Sequence, residues 1–150
     1  MAAGAQGDTL ILGVGNPLMG DDGVGVLAVE RLLARPDLPP GVIVMDGGTA
    51  GLGLIPLIEG YRRVVLVDAV LMGEAPGTVR RFKWQEASVA GHERPLSLHQ
   101  SDLADALELA EALGCLPPEV IVFGVQTQHT DWEQTLTCLL YTSPSPRDRT

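Results

Sequence analysis

Two adjacent carboxylates, Asp21 and Asp22, follow a glycine-rich turn in the stretch GVGNPLMGDDGVG, residues 13–25. Two more close apolar runs, Asp46 in VIVMDGG and Asp68 in VVLVDAV, and His99 stands just ahead of the helix-forming stretch SDLADALELAEALG. Oxygen and nitrogen donors of this kind suit nickel, zinc or manganese, and a small number of protein ligands leaves coordination positions open for a substrate. A glycine-rich turn after a strand more commonly cradles phosphate, which adjacent carboxylates would repel. Leu18 also occupies the position where the dinucleotide fingerprint needs its third glycine, and Pro17 holds Asn16 out of the helical region. Nucleotide binding therefore stays as the weaker alternative, kept alive by Asp46, whose place at a strand end suits a ribose contact. Plain structural roles exist for each residue alone. Asp21 and Asp22 can cap a helix, Asp68 can brace the next loop, and His99, His92 and His129 can sit on the surface. Taken together at one place, the carboxylates and the imidazole favour a metal.

The elements that would bring them together are legible as periodic runs. TLILGV (9–14), VIVMD (42–46), VVLVDAV (64–70) and VIVFGV (120–125) are apolar throughout and read as buried strands, whereas TVRRFKW (78–84) alternates like an edge strand with one wet face. A helix is expected from Asp22 to the Pro36 stop, with Val24, Leu27, Ala28 and Leu32 on its inner face. GLGLIPLIEG predicts a short helix with Pro56 near its start or at a bend. The stretch 101–114 predicts a longer one, capped by Ser101, buried along Leu103, Leu107 and Ala110, and ended by Gly114. Fully apolar strands alternating with helices predict a single-domain α/β protein. Its sheet should be twisted and mostly parallel, with helices on both faces and one antiparallel edge strand. In such sheets ligands bind beyond the carboxyl ends of the strands, the rim to which this order carries Asp21, Asp22, Asp46, Asp68 and His99. In the DGGTAG turn, Asp46, Gly47, Gly48 and Thr49 are candidates for contact with a substrate peptide, the glycines allowing close approach. A turn that needs positive φ is the plain alternative.

Bulk properties narrow the partners. The chain has 150 residues and a formal net charge of -9, from 10 basic and 19 acidic side chains, so nothing supplies a basic stripe for nucleic acid. No run is long and apolar enough to predict a membrane span, and MAAGAQGDTL lacks the features of a secretory signal. Two cysteines, Cys115 and Cys138, form neither a disulfide framework nor a zinc pattern, and a cytoplasmic setting is expected. No serine or cysteine stands in a nucleophile motif; Cys115, next to Leu116-Pro117, reads as structural.

The last stretch, CLLYTSPSPRDRT, has another character. Its prolines remove backbone donors and no apolar residue recurs at helical spacing, so neither a helix nor a central strand is expected. A solvated natural tail is one reading. The stretch also looks like a translated transposon-type sequencing adapter, whose mosaic end encodes Cys-Leu-Leu-Tyr-Thr-Ser. The expected organisation is accordingly a domain over residues 1–137, shortened at its carboxyl end, and an adapter-like tail over 138–150.

The ordered motifs GVGNPLMGDDGVGV, MDGGTAGLGL, VVLVDAV and LSLHQSDLADAL closely resemble the endopeptidases that mature the large subunit of nickel–iron hydrogenases. The resemblance runs from about Leu10 to Trp132. It implies a twisted α/β sheet flanked by helices, and removal of a C-terminal extension from the large-subunit precursor once nickel has been inserted. The family's metal-contacting acidic residue falls on Asp22, a position where some members carry glutamate; its second carboxylate falls on Asp68 and its histidine on His99. These three are the implied catalytic and metal-contacting residues. The metal is the nickel carried by the substrate, read as a check that the precursor is loaded. Metal polarisation of the scissile carbonyl or of a water is one chemistry, and a carboxylate acting as base on that water is the other. A non-catalytic assembly chaperone that binds a nickel protein through the same rim is the alternative function. Family members usually continue past the Asp131-Trp132 region into a closing helix, which the chain's last residues do not supply.

Overall fold

The structure, a computed structural model, describes residues 8–15, 23–48, 53–70, 73–85 and 102–127. Asp21, Asp22, Thr49, His99 and the stretch 138–150 lie outside these residues. Five strands are present: β1 (Thr9–Gly13), β2 (Val42–Asp46), β3 (Arg63–Val70), β4 (Val79–Lys83) and β5 (Glu119–Gln126). Three helices accompany them: α1 (Val24–Leu33), α2 (Leu54–Ile58) and α3 (Asp102–Ala112). The strands form one sheet in the order β2-β1-β3-β5-β4. All neighbours run parallel except β4, which pairs antiparallel with β5 at the edge. This is the mostly parallel α/β sheet that the apolar runs predict.

Register explains why the strands are apolar on both sides. Leu10, Leu12, Val64, Leu66, Val120 and Val122 share one face and pack with Leu54 and Ile58 of α2 and with Leu103, Leu107 and Ala110 of α3. Helix α1 packs over β1, β2 and β3 on the other face, with Val26 and Val29 buried. Helices thus lie on both faces, as a parallel sheet demands, but the cover is uneven: the face under α2 and α3 is buried, whereas Ile11, Val65 and Phe123 on the α1 side are only half-buried.

The start of α1 departs from expectation. Gly25, Val26 and Val29 are its buried residues, not the stripe through Val24, Leu27, Ala28 and Leu32. The cause is a backbone-to-backbone contact. A Cβ on Gly13 would lie 2.2 Å from the Gly25 carbonyl oxygen, and one on Gly25 would lie 2.2 Å from that of Val67 and 2.5 Å from that of Val14. The helix turns its smallest residue to the sheet and packs closer than any side chain would allow.

The other helices follow the sequence. Pro56 is the third residue of α2, within the first turn, where an amide has no partner in the helix to lose. Helix α3 ends at Gly114, with φ at 75°, and the Cys115 amide donates back to the Ala110 carbonyl at 2.8 Å while Gly114 donates to Glu111. That paired closure is what a left-handed glycine makes available. Among the described residues, no helix is long and apolar enough to cross a membrane.

Candidate functional site

The chain leaves β1 toward β2 on one side and returns to place β3 on the other side of β1. Connections diverge there, and beyond the carboxyl ends of β1 and β3 lies the switch point, the crevice position at which open α/β sheets bind their ligands. Main-chain bonds lace its floor. The Val14 amide donates to the Val67 carbonyl at 3.0 Å, Gly47 to Gly13 at 2.8 Å, and Gly15 to Gly48 at 2.8 Å. The turns after β1 and β2 are thus one connected piece of backbone beside β3.

Asp68 lies at this crevice. β3 runs to Val70, as the 64–70 run predicts, because β5 pairs with it as far as Val70↔Gln126, so Asp68 stands just short of the strand's end and not at its tip. On the other side the ladder with β1 stops at Gly13↔Val67, immediately before Asp68. Asp68 is therefore the first residue of β3 beyond the end of β1, and across from it on β5 stands Gly124, which has no side chain. Asp68 is only 7% exposed, and its Oδ1 accepts the Ala69 amide at 2.8 Å. A buried acidic residue at the strand ends where open α/β sheets bind ligands is a functional candidate.

Asp46 ends β2 as expected and is exposed. Its Oδ1 accepts the Gly48 amide at 2.7 Å, so the side chain braces its own turn. Gly48 has φ at 66°, the positive value that was the plain alternative, and a Cβ there would meet nothing within 4 Å. Both readings of the turn survive: it needs glycine for its shape, and it leaves open space above that glycine. Gly47 is different, since a Cβ would press on Leu12.

Two further residues shape the rim without ionisable groups to announce them. Gln126, 6% exposed, ends β5 beside Val70; its Oε1 accepts the Glu74 amide at 3.3 Å and its Nε2 donates to the Thr127 carbonyl at 3.1 Å. It ties the connection after β3 to the end of β5. A polar residue closing the apolar run VIVFGV was the available signal. Gly25 is the other: its contacts with Val14 and Val67 seat the first turn of α1 on the crevice floor, next to Asp68.

Cys115 stands at the opposite end of the sheet, between α3 and the start of β5. Hydrogen bonding to Glu59, with desolvation and the charge of that carboxylate, pushes its thiol above the usual range. A thiol pushed toward its protonated form, at the end of the sheet away from Asp68, lacks the thiolate character of a nucleophile's environment. Among the described residues, no three His, Cys, Asp or Glu side chains gather as a metal site. Of the three expected metal-contacting residues, Asp68 is described, whereas Asp22 and His99 lie outside the described residues.

Known proteins share this sheet and these motifs. A family model described as hydrogenase maturation protease matches residues 26–138. The chain is 40% identical over 123 residues to the hydrogenase expression/formation protein HupM of Azotobacter chroococcum, covering 82% of this chain and 59% of that protein. It is 37% identical over 117 residues to the hydrogenase 2 maturation protease of Escherichia coli, covering 77% and 71%. The solved structure of the hydrogenase maturating endopeptidase HybD from Escherichia coli superimposes with a TM-score of 0.74 at 33% identity, covering 89% of this chain and 82% of that one. The chain thus spans about 59% of the length of the first of these relatives. With a family model matching residues 26–138, and sequence identity and fold agreeing over most of its residues, the chain belongs to the hydrogenase maturation protease family.

Proposed function

We propose that the protein is an endopeptidase that removes the C-terminal extension from a nickel-loaded hydrogenase large-subunit precursor in the cytoplasm. Asp22, Asp68 and His99 are its metal-contacting and catalytic residues, and the metal is nickel borne by the substrate. The observation that carries the reading is Asp68: a buried acidic residue at the switch point, in a chain of the maturation protease family. Chain connectivity supports Asp22 beside it. Asp22 is three residues from Gly25, whose backbone touches Val67, the neighbour of Asp68. Three residues of chain reach at most about 11 Å. Two carboxylates and an imidazole fit nickel, which accepts oxygen and nitrogen donors.

The reaction is hydrolysis of the scissile amide: the water oxygen bonds to the carbonyl carbon, the C–N bond breaks, and the proton that an ionised carboxylate takes from the water passes to the leaving amine. The metal, held by these residues, would supply polarisation of the carbonyl or of the water. Asp46, Gly47, Gly48 and Thr49 are the residues assigned to contact with the peptide main chain; the hold of Asp46 on the Gly48 amide and the open space over Gly48 support that assignment. The test is precursor shortening by variants. Asp22→Asn, Asp68→Asn and His99→Ala should each lower the rate at least about 100-fold, the scale of losing a catalytic acid–base group, with an unchanged circular dichroism spectrum. Full activity in any one removes that residue from the set.

A further inference from the structure

We propose that the outer edge of β2 is a docking strand for an extended peptide, and that its occupant is the C-terminal segment of the precursor. The proposal rests on the peptidase reading above and adds the surface by which the substrate is held. β2 closes one end of the sheet, with β1 its partner on one side. The Thr9 amide donates to Gly41 and the Gly47 amide to Gly13, so odd-numbered main-chain groups of β2 turn toward β1. The alternation of a strand turns the amides and carbonyls of Val42, Val44 and Asp46 outward. Among the described residues, no main-chain group is bonded to them.

The two edges of the sheet are treated differently. At the far edge, β4 carries Arg80, Arg81 and Lys83 among its five residues, the kind of charge that discourages another strand from pairing. β2 reads Val-Ile-Val-Met before Asp46, with no charge, proline or glycine to guard it. An unguarded edge is a template for strand addition, in which main-chain bonds supply affinity and flanking side chains supply selectivity. Val42 and Val44 lie on the α1 side of the sheet and Ile43 and Met45 on the other, all half-buried. An added strand would find apolar neighbours above and below.

Charge and continuity choose the occupant. The chain carries a net charge of -9, which opposes a second copy laid edge to edge. β2 runs parallel to β1 and β3, so its carboxyl end delivers whatever lies along it to the rim where Asp68 stands. Gly48, the last described residue of that turn, leaves open space over its α-carbon for a passing backbone.

Amide hydrogen exchange of the 150-residue chain, alone and with nickel-loaded precursor, reads the edge directly and needs no substitution. The amides of Val42 and Val44 should slow at least tenfold when precursor is added, while those of β4 stay unchanged. In parallel, Val44→Pro removes an outward donor at an edge position where proline is tolerated. It should raise the KM for shortening at least tenfold with little change in kcat. Shortening that proceeds while Val42 and Val44 exchange as before overturns the docking strand and leaves the peptidase reading standing. Precursor that is neither bound nor shortened overturns both. Slowing that grows with protein concentration in the absence of precursor assigns the edge to a second copy and overturns the proposed occupant.

Discussion

Gly13 and Gly25 meet backbone to backbone, and the crevice depends on that contact. A methyl group on Gly25 would press on two main-chain oxygens, which cannot swing aside as a flexible side chain can. Gly25→Ala should therefore cost about 3 kcal/mol, the upper part of the usual overpacking range, read as a lowered urea midpoint. Gly48→Ala should cost about 1 kcal/mol, because its penalty is the left-handed backbone alone. If Gly48 also faces the substrate, that variant should lose shortening activity by more than its stability loss explains; equal losses would leave it a turn residue only. Asp68 was legible in the sequence because a carboxylate interrupts an otherwise apolar run. Gly25 and Gln126 were not, since a glycine in a helix and an amide after a strand acquire their roles from neighbours distant in the chain. Asp46 was legible as the end of its strand, but its grip on the Gly48 amide was not, because that depends on how the turn closes.

The strands were readable nearly to the residue, because burial on both faces leaves a run of Val, Ile and Leu that few other environments tolerate. What the runs could not convey was relative length. β3 outlasts β1 by three residues, and this mismatch opens the space at Asp68. The face of α1 was misread for a related reason: hydrophobic periodicity ranks side chains by size, whereas this helix packs by its smallest residue. Glu119 at the start of β5 forms ion pairs with Arg63 at the start of β3 and with Lys83 at the end of β4. Hydrogen bonding to Arg63 holds the Glu119 carboxyl below the usual glutamate range, opposed by burial, the next-largest effect, and aided by hydrogen bonding to Lys83 and the charges of both cations. A depressed folded pKa contributes stability that is complete above the unfolded value and is lost as pH falls through the folded one. Glu119→Gln should therefore be slightly less stable than the parent at neutral pH, with the gap closing in acid. Urea midpoints at pH 7 and pH 3 would check this, and a gap that widened in acid would contradict it. The effect is modest because the pair is partly solvated.

At the scale of the molecule, one sheet carries a guarded edge, an unguarded edge and, between them, a switch point with a buried acidic residue. The excess of acidic over basic residues fits a protein that works on another protein or a metal rather than on nucleic acid. We propose that residues 138–150, with their two prolines and lack of an apolar stripe, take no part in this domain. Cutting the chain after Thr137 should leave the urea midpoint and the precursor-binding affinity unchanged, whereas a marked loss of either would show that the stretch packs on the domain. We propose that the family fold here cuts a nickel-loaded precursor rather than merely holding it. Intact-mass spectrometry of the large subunit after incubation with this chain separates the two. The expected result is loss of a single C-terminal peptide from the nickel-loaded precursor and no change in the nickel-free one. A stable complex in which the nickel-loaded large subunit keeps its full mass would contradict it.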